Sequence, residues 1–375
     1  MTTMPLPLGS VRPTRYVFDR APMLVYWEMT RACPLACRHC RAEAVAQRSD
    51  RELTTAEGER LFDQIAAFGR PYPHVVLTGG DPLRRDDLVT LVRAATARGV
   101  GTSVSPSATD DLTPELLAEL KASAVQSMSL SLDGSTAALH DGFRGVPGTF
   151  ASTQRAARAI RAAGIPLQVN TLVTDETADD LPAIHGLLRG LDIMRWSLFF
   201  LIGVGRGAVL GEVSPVRSER LFRWLLDLEG TSPFPIKTTE AMHYRRVAIA
   251  RMERAGMDRD AIEKTPVGRG FGVRDGNGIV FVAHDGAIHP SGFLPIPCGD
   301  VRSASLVDVY RAHPLFVALR DARSFAGKCG RCPYAAICGG SRARAFARTG
   351  DALASDPLCP YVPPADAVAW ESRPS

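Results

Sequence analysis

Along the first two-thirds of the chain, short apolar runs alternate with longer stretches whose apolar positions recur at helical spacing, and the alternation repeats six times. The runs predict strands at Leu24–Thr30 and at 74–80, 101–108, 127–134, 167–174 and 195–203. Helix start signals fall between them. Thr54 followed by Glu57 reads as a capping box. Thr113-Pro114 and Ser214-Pro215 each put a cap residue before a proline at the first helical position, the second ahead of a helix to about residue 228. Strands alternating with helices imply parallel βαβ units. Six of them fit an α/β fold with a curved parallel sheet, or partial barrel, backed by helices.

After residue 232 the texture changes. Helical pattern continues to about residue 260, and a hairpin-like stretch follows, with Gly276-Asn277-Gly278 and Asp285-Gly286 flanking 279–284. The expected organisation is an N-terminal extension at 1–21, a barrel core at 22–231, a helical connection at 232–270 and a small C-terminal domain at 271–375. Five of the eight cysteines lie in that last part.

The chain has 375 residues, 45% of them hydrophobic and 22% charged, enough for a large core in one to three domains. A net charge of +4 without a dense Lys/Arg stripe gives no case for nucleic acid as a partner. The first residues lack an apolar signal core, and no run reaches the roughly 18 apolar residues of a membrane span. The expectation is a cytoplasmic protein with no membrane partner, in which cysteines serve as metal ligands rather than in disulfides.

Directly after the first strand comes Cys33-Pro34-Leu35-Ala36-Cys37-Arg38-His39-Cys40, a C-x3-C-x2-C triplet. Loops at the C-terminal ends of parallel strands are where such folds put their sites. Cysteine thiolates are the usual ligands of an iron–sulfur cube, and three of them leave one iron open for chemistry. A zinc knuckle is the competing reading, but zinc favours paired elements with four ligands. The second strand ends in Thr78-Gly79-Gly80-Asp81-Pro82, where two glycines permit a sharp bend and close approach to a ligand. The fourth strand runs Ser129-Leu130-Ser131-Leu132-Asp133-Gly134, with His140-Asp141 and Arg144-Gly145 beyond it.

These motifs together resemble the radical S-adenosylmethionine (SAM) enzymes over roughly residues 22–230. The resemblance implies a partial (β/α)6 TIM-like barrel with a [4Fe-4S] cluster on Cys33, Cys37 and Cys40. SAM on the open iron would be cleaved reductively to a 5′-deoxyadenosyl radical, which takes a hydrogen atom from the substrate. It implies SAM contacts from Thr78, Gly79, Gly80 and Asp81, the last standing where the family has Glu. Ser131 and Arg144 would meet the SAM carboxylate or ribose; a solvated surface arginine is the other reading of Arg144. Asn170 would reach the ribose, and Gly203, opening Gly203-Val204-Gly205-Arg206-Gly207, would pass under the adenine. An electron donor such as flavodoxin or ferredoxin is implied.

The tail carries Cys329, Cys332, Cys338 and Cys359, and resembles a SPASM domain reduced to one auxiliary [4Fe-4S] cluster. Zinc also suits four thiolates. Arg342 and Ser291 stand where ligands of a second auxiliary cluster would lie. Cys298 is left over: a buried small hydrophobe, a partial ligand or a catalytic thiol. The tail and the opening segment 21–30 look most like haem-pathway decarboxylases and d-type haem maturases, which implies a tetrapyrrole-like or other small-molecule substrate. A peptide maturase is the alternative, although only 32 residues precede Cys33, too few for a leader-binding domain. A non-catalytic iron–sulfur carrier would need no SAM pocket, and the Gly79-Gly80 and Ser131/Arg144 elements argue against it. Arg320, Arg323, Arg342, Arg344 and Arg348 are candidates either for tetrapyrrole carboxylates or for a solvated face.

Overall fold

The computed structural model describes residues 17–265, 267 and 272–365; the first sixteen residues of the expected extension, most of the boundary near 270 and the last ten residues lie outside these. The six expected strands are present as β1 (Leu24–Thr30), β2 (His74–Gly79), β3 (Thr102–Val104), β4 (Ser127–Ser131), β5 (Leu167–Val173) and β6 (Arg195–Phe200). They pair in parallel and in sequence order. The helix starts follow the expected chemistry. Thr54 closes a reciprocal capping box with Glu57, and Thr113 and Ser214 accept hydrogen bonds from Leu116 and Arg217 amides, each with proline at the start of its helix.

Four further strands complete a ten-stranded sheet. β7 (Ile236–Thr239) pairs in parallel with β6, inside the stretch that reads as a helical connection. Its sequence, Ile-Lys-Thr-Thr, has no apolar run to mark it. The hairpin forms as β8 (Ile279–Val282) and β9 (Ala287–His289), with β10 (Gly299–Asp300) outside it. β8 also lies parallel to β1. The last third of the chain therefore shares the barrel's sheet, with β7 and β10 as the two edges of an open barrel.

The sheet sorts its residues by period two. Val25, Trp27 and Met29 of β1, Val75 and Leu77 of β2, Met128 and Leu130 of β4 and Trp196 and Leu198 of β6 are buried against helices. Those helices answer with Leu61, Phe62 and Ile65, then Leu91 and Val92, Leu117 and Leu120, and Phe222 and Leu225. Alternate positions on the inner face are mostly small or polar: Tyr26, Thr78, Ser103, Ser127, Ser129, Ser131, Gln168, Asn170, Ser197 and Thr239. A barrel of large inward residues would be filled; this one holds a cavity of about 430 Å³.

Arg344, fully buried in the helix Arg342–Thr349, ties the C-terminal segment to the barrel. Its guanidinium donates to the carbonyls of Leu201 (3.0 Å) and Glu240 (2.8 Å) and pairs with Glu212 (3.1 Å). On the opposite side Arg302 donates to Glu57 Oε1 (2.7 Å) and to the Arg51 carbonyl (3.0 Å), joining the segment after β10 to the first helix.

Candidate active site

The cysteine loop leaves β1 and crosses the mouth of the barrel, held by backbone bonds from several loops. The Gly80 amide donates to the Thr30 carbonyl (2.7 Å), the Asp81 amide to Ala32 (2.8 Å), the Arg38 amide to Phe143 (3.1 Å) and the Arg206 amide to Cys40 (3.1 Å). Contacts this close need glycine. A Cβ on Gly79 would stand 2.3 Å from the Thr30 oxygen, one on Gly80 2.4 Å from that of Ala32, and one on Gly205 2.7 Å from that of Cys40. Gly79 and Gly205 also have φ of +142° and +53°.

Cys33, Cys37 and Cys40 all face the cavity. Each sulfur receives one N–H donor: the Leu35 amide to Cys33 (3.4 Å), Arg144 Nη1 to Cys37 (3.5 Å) and the Ala44 amide to Cys40 (3.4 Å). Ser107 Oγ lies 3.5 Å from Cys33 Sγ. A donor on each of three sulfurs that line one cavity suits a thiolate-bound cluster. Thr78, Gly79, Gly80, Ser131, Arg144 and Asn170 line the same cavity, which Ile202 and Val204 reach on either side of Gly203.

Two of these residues have structural partners that the sequence does not reveal. Arg144 is largely shielded rather than solvated, its side chain 11% exposed. Its Nη2 lies 2.6 Å from Asp133 Oδ2, and its Nε has no hydrogen-bond partner. Burial raises the Asp133 carboxyl, but Arg144, His39 and His140 outweigh it and hold that carboxyl below its ordinary range. Asp81 bridges two loops: its Oδ1 accepts from the Leu83 (3.1 Å) and Ser107 (3.2 Å) amides, fixing the β2 loop to the loop after β3. Burial pushes its carboxyl up to about 6.

Cys298 does not join the site. It packs in the main core, its Sγ 3.5 Å from the Ile296 carbonyl, and burial pushes its thiol up to about 11. The tail arginines do not reach the cavity either. Arg342 is buried over the Phe325 ring (4.5 Å) and donates to the Ala352 and Ala354 carbonyls, Arg320 pairs with Asp19, Arg323 with Asp321 and Arg348 with Glu212. The cations that do line the cavity are Arg41, Arg144, Arg195, Arg206 and Lys237. Arg195 and Lys237 carry a signal readable in the strand alternation, since Arg195-x-Ser197 and Lys237-x-Thr239 share the inner face. Arg41 is paired with Glu28 (2.8 Å) and Arg144 with Asp133, whereas Arg206 Nε and Nη2 are buried without a hydrogen-bond partner.

Cys329, Cys332, Cys338 and Cys359 surround a second, small pocket together with Arg246 and Lys328. The Asp356 amide (3.4 Å) and Arg342 Nη2 (3.7 Å) approach Cys329 Sγ. Ser291 lies instead on the wall of the main cavity.

A family profile described as the Radical SAM superfamily matches residues 27–188. The chain is 38% identical to an AdoMet-dependent heme synthase of Nitratidesulfovibrio vulgaris, with 91% of this chain and 92% of that protein covered. It is 35% identical to an AdoMet-dependent heme synthase of Methanosarcina barkeri, covering 92% of this chain and 97% of that one. Among solved structures, Streptococcus suis SuiB bound to S-adenosylmethionine superposes with a TM-score of 0.70 at 19% identity, over 91% of this chain and 78% of SuiB. None of the described helices is long and apolar enough to cross a membrane.

Proposed function

The chain belongs to the radical SAM superfamily, and from that premise we propose that it removes hydrogen atoms from propionate side chains of an iron tetrapyrrole, in an oxidative decarboxylation. The observation that carries this reading is the charge of the cavity. Five cations line it against two carboxyl residues, Asp133 and Glu240. Burial and the nearby Asp275 raise Glu240 above its ordinary value; Arg41 and Arg144 are paired with Glu28 and Asp133, which leaves Arg195, Arg206 and Lys237 for a substrate. A cavity of this kind suits a substrate bearing several carboxylates. The heme-synthase relatives, matched almost end to end, support the same class.

Cys33, Cys37 and Cys40 would hold the [4Fe-4S] cluster, and Thr78, Gly79, Gly80, Ser131, Arg144 and Asn170 would surround SAM. The cluster with SAM supplies a 5′-deoxyadenosyl radical, which takes one hydrogen atom from the carbon next to the ring. Loss of carbon dioxide from the carboxylate then leaves a vinyl group and one electron, which passes to a one-electron acceptor. The chain's own part is to anchor the remaining carboxylates and keep the reacting one at the cysteine end. Asp81 acts through the loop it fixes. A flavodoxin or ferredoxin is the expected electron donor.

The four tail cysteines would hold an auxiliary [4Fe-4S] cluster. Zinc also suits four thiolates; what favours iron–sulfur is the resemblance of this tail to a domain with one auxiliary cluster, together with the shared pocket of Cys329, Cys332, Cys338 and Cys359.

Anaerobic reconstitution tests both sites. Wild type should hold about eight irons per chain, and Cys332→Ala about half that number. Unchanged iron in Cys332→Ala would remove the auxiliary cluster. Cys33→Ala should abolish release of 5′-deoxyadenosine. An iron porphyrin with four propionates should speed that release in wild type; no effect of the porphyrin, with stimulation by a peptide, would favour the maturase reading.

A further inference from the structure

We infer that Arg195 and Lys237 form an anion subsite that holds a second carboxylate of the substrate, far from the cysteine loop. The inference rests on the tetrapyrrole reading and adds a place for a carboxylate that does not react.

The two residues sit on adjacent parallel strands. Lys237 of β7 is opposite Ser197 of β6, so Arg195 is its diagonal neighbour on the same face. Gln168 of β5 pairs directly with Arg195. All four line the cavity. Arg195 opens β6, and Leu201, which lines the cavity at the cysteine end, follows six residues later. At about 3.3 Å per residue the subsite lies roughly 20 Å along the strand from the mouth.

No hydrogen bond or ion pair from Arg195 or Lys237 to another described side chain exists, unlike Arg41 and Arg144 in the same cavity. Lys237 is exposed on the edge strand β7, and Arg195 and Arg245 stand near it. Arg245 is itself engaged with the carbonyls of Val273 (2.8 Å) and Ile337 (3.2 Å). Tyr26, also near Arg195, is pushed up to about 12 by burial and Glu240, so it is a neutral hydroxyl and not a counter-ion. Two like charges thus stand side by side, while the cavity's two carboxyls are engaged elsewhere, Asp133 with Arg144 and Glu240 with Ser341. A substrate carboxylate would relieve their repulsion and accept a bidentate bond from the guanidinium. Because this anchor and the cysteine loop are fixed to one sheet, the length of the strand selects which side chain of a large substrate reaches the cysteine end.

The test compares binding of an iron porphyrin carrying four propionates with its uncharged tetramethyl ester, by difference absorbance on the reconstituted enzyme with SAM. Wild type should prefer the acid. Arg195→Met and Lys237→Met should each weaken the acid by about tenfold, with little effect on the ester. Arg195→Lys and Lys237→Arg should keep most of the preference, separating lost charge from lost folding. If the methionine variants keep the full preference, the subsite is wrong while the tetrapyrrole reading stands. If wild type binds neither porphyrin, both fall together.

Discussion

Three backbone contacts explain why the cysteine loop needs its neighbours. Gly80→Ala would drive a methyl group into the Ala32 carbonyl, so the loop must shift. The expected outcome is loss of iron from the N-terminal site, with the iron assigned to the tail retained. Full iron content in this variant would mean the loop tolerates displacement. Arg144 is the second such residue. It compensates the buried Asp133 and donates to Cys37. Arg144→Met leaves that carboxylate buried without its partner and should cost about 3 kcal/mol, measured by urea unfolding of the metal-free protein. A loss under about 1 kcal/mol would place the pair in contact with water. The glycines and Arg144 were visible in the sequence as motif members. Their physical work was not, because burial and a partner more than ten residues away leave no trace in local spacing. Asp81 shows the converse. It stands in a motif, yet its oxygen bonds the amides of Leu83 and Ser107.

The barrel strands were legible from their apolar runs, and the caps from Thr54, Thr113 and Ser214. β7 was not, because Ile236–Thr239 is short and three of its four residues are polar. Its inner positions carry Lys237 and Thr239, the polarity that hid it. The serines of β3 and β4 did not hide those strands, but alternate small residues empty the barrel, which a search for hydrophobic runs does not register. The first helix makes a measurable case. Thr54→Ala should cost about 1 kcal/mol by removing its cap. Glu57 is held down to about 2, first by Arg302 and then by the Thr54 amide, below the ordinary 4.5. A depressed carboxyl contributes stability that is present above 4.5 and lost as pH falls toward 2. Glu57→Gln should therefore flatten the fall of stability with pH across that window. An unchanged slope would show that the exposed pair with Arg302 contributes nothing measurable.

Over the full architecture, one sheet carries the cysteine mouth at its C-terminal ends and unpaired cations toward its N-terminal ends, while Arg344 and Arg302 fasten the C-terminal segment to both sides. Of the tail arginines suggested by sequence as carboxylate ligands, Arg344 and Arg348 pair with Glu212 and Arg320 with Asp19, Arg342 bonds carbonyls within the tail and Arg323 is exposed beside Asp321, and strand residues line the cavity in their place. Which arginines face inward depends on register and tertiary packing, and neither is written in composition. The arrangement makes hydrogen removal from a propionate the reaction to look for. The most direct measurement uses an iron porphyrin deuterated at the propionate carbons next to the ring, with the reconstituted enzyme, SAM, a reductant and a one-electron acceptor. Deuterium should appear in 5′-deoxyadenosine, and the porphyrin should lose carbon dioxide from a propionate to give a vinyl group. Deuterium-free 5′-deoxyadenosine beside an unaltered porphyrin would contradict a propionate as the site of attack.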